Sequence, residues 1–151
     1  MNGILCEVSV SSDLKQGSNR EKIETLSDGF IRKQGGNTEI FYRETQPDSA
    51  EDVKVHVILS FNESRNTYEC RIKKEGALKS EMLFIPEFET PCPYMTPFGE
   101  LNFDIYTNNI IVKTSENEVN AMLSYQLLDG GEVITEAVVF ITAKGKTCPG
   151  T

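Results

Sequence analysis

The stretch Val53-Lys54-Val55-His56-Val57-Ile58-Leu59-Ser60-Phe61 decides the fold class. Val53, Val55, Val57, Leu59 and Phe61 fall on one side of a two-residue period, and Lys54, His56 and Ser60 on the other. That period belongs to a half-buried strand, because successive side chains of an extended chain point to opposite faces. Residues 62–66 read as a turn. Residues 67–74 read as the returning strand, with Tyr68, Cys70 and Ile72 alternating against Glu69, Arg71 and Lys73. Working towards the N-terminus, the same period is carried by Ile4, Cys6, Val8 and Val10. Residues 22–28 form a weaker strand that Asp28-Gly29 is expected to close. A strand through Phe30 and Arg32 reaches the tight-turn signal Gly35-Gly36-Asn37. Residues 38–45 return from it, with Ile40 and Tyr42 on one face and Phe41 and Arg43 on the other.

Working towards the C-terminus, residues 81–85 make a short strand. Residues 86–97 hold four of the six prolines and read as a loop or an irregular edge, since proline cannot donate to a ladder. Phe98-Gly99 opens a strand carrying Leu101, Phe103 and Ile105 on one face. Asn108-Asn109 is expected to turn the chain into residues 110–114. Residues 119–128 and 132–143 are expected to be the longest strands, joined by Asp129-Gly130-Gly131. No window shows a helical stripe. About nine or ten strands with short connections make one antiparallel all-β domain, and tight strand-to-strand hairpins favour an up-and-down barrel over a sandwich. The whole chain, 1–151, is read as that single domain, with its core at about 4–143 and a short tail at 144–151.

At 151 residues the chain is long enough to bury roughly 68–70% of its unfolded surface without a metal or disulfide. It carries 15 Lys+Arg against 23 Asp+Glu, one histidine, no tryptophan and a formal net charge of -8. Such an acidic balance argues against a nucleic-acid partner, because neutralising phosphates needs clustered cations. A single histidine, His56, argues against a multi-histidine metal centre, and no cofactor is expected. The four cysteines, Cys6, Cys70, Cys92 and Cys148, form no Cys-x-x-Cys pair and are expected as free thiols. No signal-peptide pattern and no apolar run of spanning length is seen, so a cytoplasmic protein without membrane attachment is expected. The charge is uneven: residues 1–75 hold 11 basic and 13 acidic side chains, residues 76–151 hold 4 and 10.

Tyr94-Met95-Thr96-Pro97-Phe98-Gly99-Glu100-Leu101, followed by a strand and Thr107, resembles the YwiB-like family of small bacterial proteins. Ile23-Glu24-Thr25 with Gly29, the run from Ile40 to Thr45, Lys73-Lys74-Glu75-Gly76, Met82-Leu83-Phe84 and Leu123-Ser124-Tyr125-Gln126-Leu127 follow in the same order. The resemblance covers about residues 4–143. It implies a calycin-like (lipocalin-like) barrel and no assigned activity. Where relatives are expected to carry an asparagine, the last strand here reads Thr135-Glu136-Ala137-Val138-Val139-Phe140, so no role of that residue transfers.

Barrels of that kind hold one small ligand in the lumen. The candidate ligand-binding residues are Tyr42, Glu44, Arg71, Tyr94, Thr96 and Phe98, with no catalytic or metal-binding residue among them. Tyr42 and Glu44 share a face with Ile40, and a lumenal Glu44 needs a partner, for which Arg71 and Lys73 are the nearest by type. Tyr94 and Thr96 would bring hydroxyls to a mouth loop beside Phe98. His56, opposite the apolar face of its strand, is expected in solvent. The first functional expectation is a non-enzymatic barrel that takes a small apolar or amphipathic molecule, which calls for an open lumen above roughly 300 Å³. The alternative is an interaction module or homodimer using its outer face, suggested by Ile58, Ile134 and the adjacent Ile110 and Ile111. A hydrolase built on Glu44 and Tyr42 is the weakest expectation, since no nucleophile–base pair is legible.

Overall fold

In the computed structural model the described residues are 3–45, 52–76, 79–96 and 98–146, without the side chains of Thr45, Met95 and Thr96. They form ten strands: β1 Gly3–Gln16, β2 Asn19–Gln34, β3 Asn37–Thr45, β4 Asp52–Asn62, β5 Thr67–Glu75, β6 Ser80–Phe84, β7 Glu89–Thr96, β8 Gly99–Thr114, β9 Glu118–Asp129 and β10 Glu132–Gly145. Each strand lies beside its neighbours in sequence, and β10 closes on β1 to complete an antiparallel barrel. No helix among the described residues is long and apolar enough to cross a membrane.

The two-residue period builds the interior. Ile31, Ile40, Val57, Ile72 and Met82 are directly opposite one another on β2 to β6, forming a belt across five strands. Ile40, Val57, Leu59, Phe84, Ile105 and Leu123 are fully buried. Closely packed branched side chains of this kind supply most of the stabilisation, at about 1.5–3 kcal/mol for each one fully buried. The two-residue turns expected at Gly35-Gly36 and Gly130-Gly131 form, with φ of 57° and 83° in the first and 60° and 85° in the second. Both central positions need positive φ in a turn that follows the twist of its strands, which is why glycine fills them.

Four expectations are corrected. Asp28-Gly29 does not close a strand, because β2 runs without interruption through Gly29. There the glycine serves close approach: a Cβ on Gly29 would lie 2.4 Å from the Phe41 carbonyl oxygen. Residues 86–97 are not simply a loop, since β7 carries Pro91 and Pro93 and pairs with β8 along its whole length. On its other side β7 meets β6 only at Ser80 and Tyr94, so the missing proline donors fall where little ladder is formed. Asn108-Asn109 is not a turn. It is a bulge inside a continuous β8, where the register shifts between Thr107 and Asn109. One extra residue reverses the alternation, which turns Ile110 inward and Ile111 outward. The longest strands are therefore β2 and β8, at 16 residues each, rather than the last two.

Thr107 sits at that bulge with no exposed surface, and its Oγ1 has no hydrogen-bond partner among the described residues. An unpaired buried hydroxyl costs about 1–3 kcal/mol. Thr107→Val, which keeps the shape, is expected to raise the urea midpoint by an amount worth about 1 kcal/mol. A fall in the midpoint would show that the hydroxyl is used.

Candidate functional site

The alternation along β3 places Ile40, Tyr42 and Glu44 inside the barrel, which resolves the face of this strand. Glu44 meets a cation there, but not Arg71 or Lys73. Lys74 Nζ lies 3.1 Å from Glu44 Oε1. Arg71 faces outward and pairs with Glu81 at 3.1 Å. The physical reason is parity: on β5, Lys74 shares the inner face with Cys70 and Ile72, while Arg71 and Lys73 alternate outward. Tyr42 is nearly buried beside Glu44. Burial first, and then the carboxylate, push its hydroxyl well above the usual tyrosine range, so it remains a neutral donor.

These groups line one end of a lumenal cavity of about 210 Å³. Its wall is mainly apolar, including Ile72, Met82, Phe84, Leu123 and Val139, with Tyr125 as a second polar tip. Tyr125 packs edge-on to Phe84 at 4.9 Å, and burial pushes its hydroxyl up to about 12. The volume lies below the 300 Å³ expected from the sequence, because Phe84, Leu123 and Ile141 fill much of the interior.

The other sequence candidates stand elsewhere. Arg71, Tyr94 and Phe98 do not line this cavity. Tyr94 is exposed on β7 and Phe98 is fully exposed at the start of the next hairpin arm. The Thr96 side chain and Pro97 lie outside the described residues. Lys74 and Tyr125 were missed by sequence reasoning. Extending the β5 alternation one step past Ile72 would have found Lys74. Tyr125 needed knowledge of which strands face each other across the lumen.

Among the described residues the thiols offer no activated nucleophile, and Cys148 lies outside those residues. Cys6, Cys70 and Cys92 are buried and free, and desolvation raises all three, Cys6 to about 11. Among the described residues no group of three potential ligands could hold a metal ion.

His56 lies on the outer face as expected, yet it is not simply in solvent. Its ring stacks on Phe41, centroids 4.1 Å apart, and its Nε2 lies 2.9 Å from Glu39 Oε1. Arg32 donates to the same carboxylate from Nε at 2.8 Å and from its terminal nitrogen at 3.1 Å. The Arg32 hydrogen bond, helped by His56, holds the Glu39 carboxyl below its ordinary range against the opposing effect of burial. A carboxylate lowered in the folded state contributes stability above its unfolded pKa of about 4.3, and that contribution is lost as pH falls through the lower folded value. The wild type is therefore expected to lose urea resistance below about pH 4.3 more steeply than Glu39→Gln. Denaturation curves at neutral and acid pH check this, and parallel losses in the two proteins would contradict it.

The fold has a solved counterpart. The crystal structure of the ywiB protein from Bacillus subtilis superposes with a TM-score of 0.82 at 23% sequence identity, covering 96% of this chain and 94% of that one. That likeness establishes the fold. No curated protein matches the chain. A family model described as a domain of unknown function (DUF1934) matches residues 8–141. The ordered resemblance read from the sequence and the matched span agree, and the chain belongs to the DUF1934, YwiB-like family.

Proposed function

We propose that the protein is a lipocalin-like binding barrel of the cytoplasm, non-enzymatic, that holds a small amphipathic molecule in its lumen. The observation that carries this reading is the pairing of an apolar cavity wall with the Tyr42, Glu44 and Lys74 group at one end. Ligand sites are typically apolar with a few convergent polar groups that fix orientation. At about 210 Å³ the cavity falls short of the volume called for above, which narrows the reading to a short alkyl or single-ring body and excludes a long lipid. Its polar head would exchange with one partner of the Glu44–Lys74 pair, so that neither charge is left alone.

Native mass spectrometry of protein purified from its own host tests the reading. One small bound molecule per chain is expected, and it should be lost in Val139→Phe, which fills the cavity. Wild-type protein that carries nothing and is not stabilised by alkyl carboxylates or alkylamines of six to eight carbons would overturn it.

A second reading, a homodimer through the outer face, has one observation in its favour. Ile111, Met122 and Phe140 are directly opposite one another on β8, β9 and β10, and Ile111 and Phe140 are 46% and 51% exposed. An exposed apolar row of this kind marks contact surfaces more often than chance. Light scattering distinguishes the two, with a dimer that Phe140→Glu dissolves supporting the second.

A further inference from the structure

The ladder between β2 and β3 ends at the pair Gly29 and Tyr42, and β2 continues beyond it paired with β1 alone. An outer groove of about 760 Å³ lies at this break, more than three times the lumenal cavity. Phe30 and Phe41 form an aromatic wall, tilted at 55° with centroids 6.3 Å apart, and the His56 ring extends the Phe41 stack. Arg43, Lys54 and Lys73 line the same groove. None of these three cations has a hydrogen bond or ion pair among the described residues. Of the two carboxylates that share the groove, Asp28 is engaged by Lys146 at 2.6 Å, which leaves Glu75.

In a protein of net charge -8, three cations without an ion pair among the described residues, lining one aromatic concavity, run against the whole-molecule field. A concave site of one sign concentrates counter-ions of the other. Aromatic walls add stacking and edge contacts for a flat ring. We propose that this groove is a binding site for a planar aromatic anion: a ring system bearing a carboxylate, sulfonate or phosphate group. The ring lies against Phe30 and Phe41, and the acidic group is held by Arg43, Lys54 and Lys73. The site is separate from the lumen, although Tyr42 is a wall common to both.

The probe is 1-anilinonaphthalene-8-sulfonate, titrated by fluorescence into the full chain, which has no tryptophan to interfere. Saturable binding is expected, weakening as salt rises from about 0.05 to about 0.5 M. The uncharged analogue N-phenyl-1-naphthylamine should bind more weakly. Lys54→Glu combined with Lys73→Glu, both at surface positions, should lower affinity by at least about tenfold, equivalent to about 1.4 kcal/mol. Val139→Phe, which closes the lumen, should leave the affinity unchanged. Wild-type affinity in the double lysine variant overturns the proposal. So does loss of binding in Val139→Phe with the lysine variant unaffected, which would place the probe in the lumen instead.

Discussion

Phe84→Ala is expected to cost the barrel about 3–5 kcal/mol, the range for deleting a buried phenylalanine. Phe84 has no exposed surface and is the largest fully buried side chain. Its ring meets Tyr125 of β9 edge-on at 4.9 Å, so it ties β6 to the opposite wall of the barrel. That tie matters because β6 has only five residues and its ladder with β7 is a single pair, supplemented by the Thr90 hydroxyl donating to the Leu83 carbonyl. Domains of this kind have about 5–15 kcal/mol of total stability, so the variant should lose about a fifth of it or more and its urea midpoint should fall in proportion. Urea unfolding followed by circular dichroism measures the loss. A loss below about 1 kcal/mol would show that the interior repacks around the gap, and would remove Phe84 from the core described above.

Gly29→Ala should be nearly as damaging, for a different reason. Its added methyl group would lie 2.4 Å from the Phe41 carbonyl oxygen, 2.7 Å from a Val8 methyl and 3.2 Å from the Tyr42 Cβ. A backbone oxygen in a ladder cannot step aside as a flexible side chain can. The strands must separate, and overpacking of this kind costs about 1–3 kcal/mol and at times more. Separation would begin at the last β2–β3 pair, so amides of residues 29–34 and 37–42 should exchange with deuterium faster than in the wild type. Unchanged exchange there, with unchanged stability, would mean that β2 bends freely at this point. The variant also bears on the outer groove, since Gly29 and Tyr42 are among the residues that line it.

Most of the architecture was legible because alternation survives on most strands and is interrupted by bulges only in β8 and β10. Val53 to Phe61 gave the face of β4, and paired glycines at Gly35-Gly36 and Gly130-Gly131 gave two turns outright. The misreadings share one cause. Gly29, Pro91, Pro93 and Asn108 are residues that usually break a strand, and each is carried through one here by tertiary pairing on at least one side. Local chemistry cannot see that support. The candidate site was half legible for the same reason. Tyr42 and Glu44 follow from parity on β3, and Lys74 was one step beyond the alternation read on β5. Arg71 was chosen by charge type, which carries no direction, whereas its odd position on β5 aims it outward at Glu81. The outer groove was not legible at all: it needs β2 to leave β3 at Gly29, and no periodicity records where a ladder stops.

The closing pair of the barrel joins the first strand to the last. Nine of the ten junctions connect neighbours along the chain and can form as soon as each hairpin is made. The tenth cannot. During synthesis β1 waits with one edge bare until residues 132–145 have left the ribosome, and a bare edge of this length is a template for a neighbouring chain. Closing a loop of that size carries an entropic cost that grows only slowly with length, so the delay is one of timing more than of stability. A circular permutant that joins the two ends and opens a β-turn elsewhere would move this late event to another seam. The same barrel would then be made in a different order, with aggregation during expression reporting which edge was left waiting.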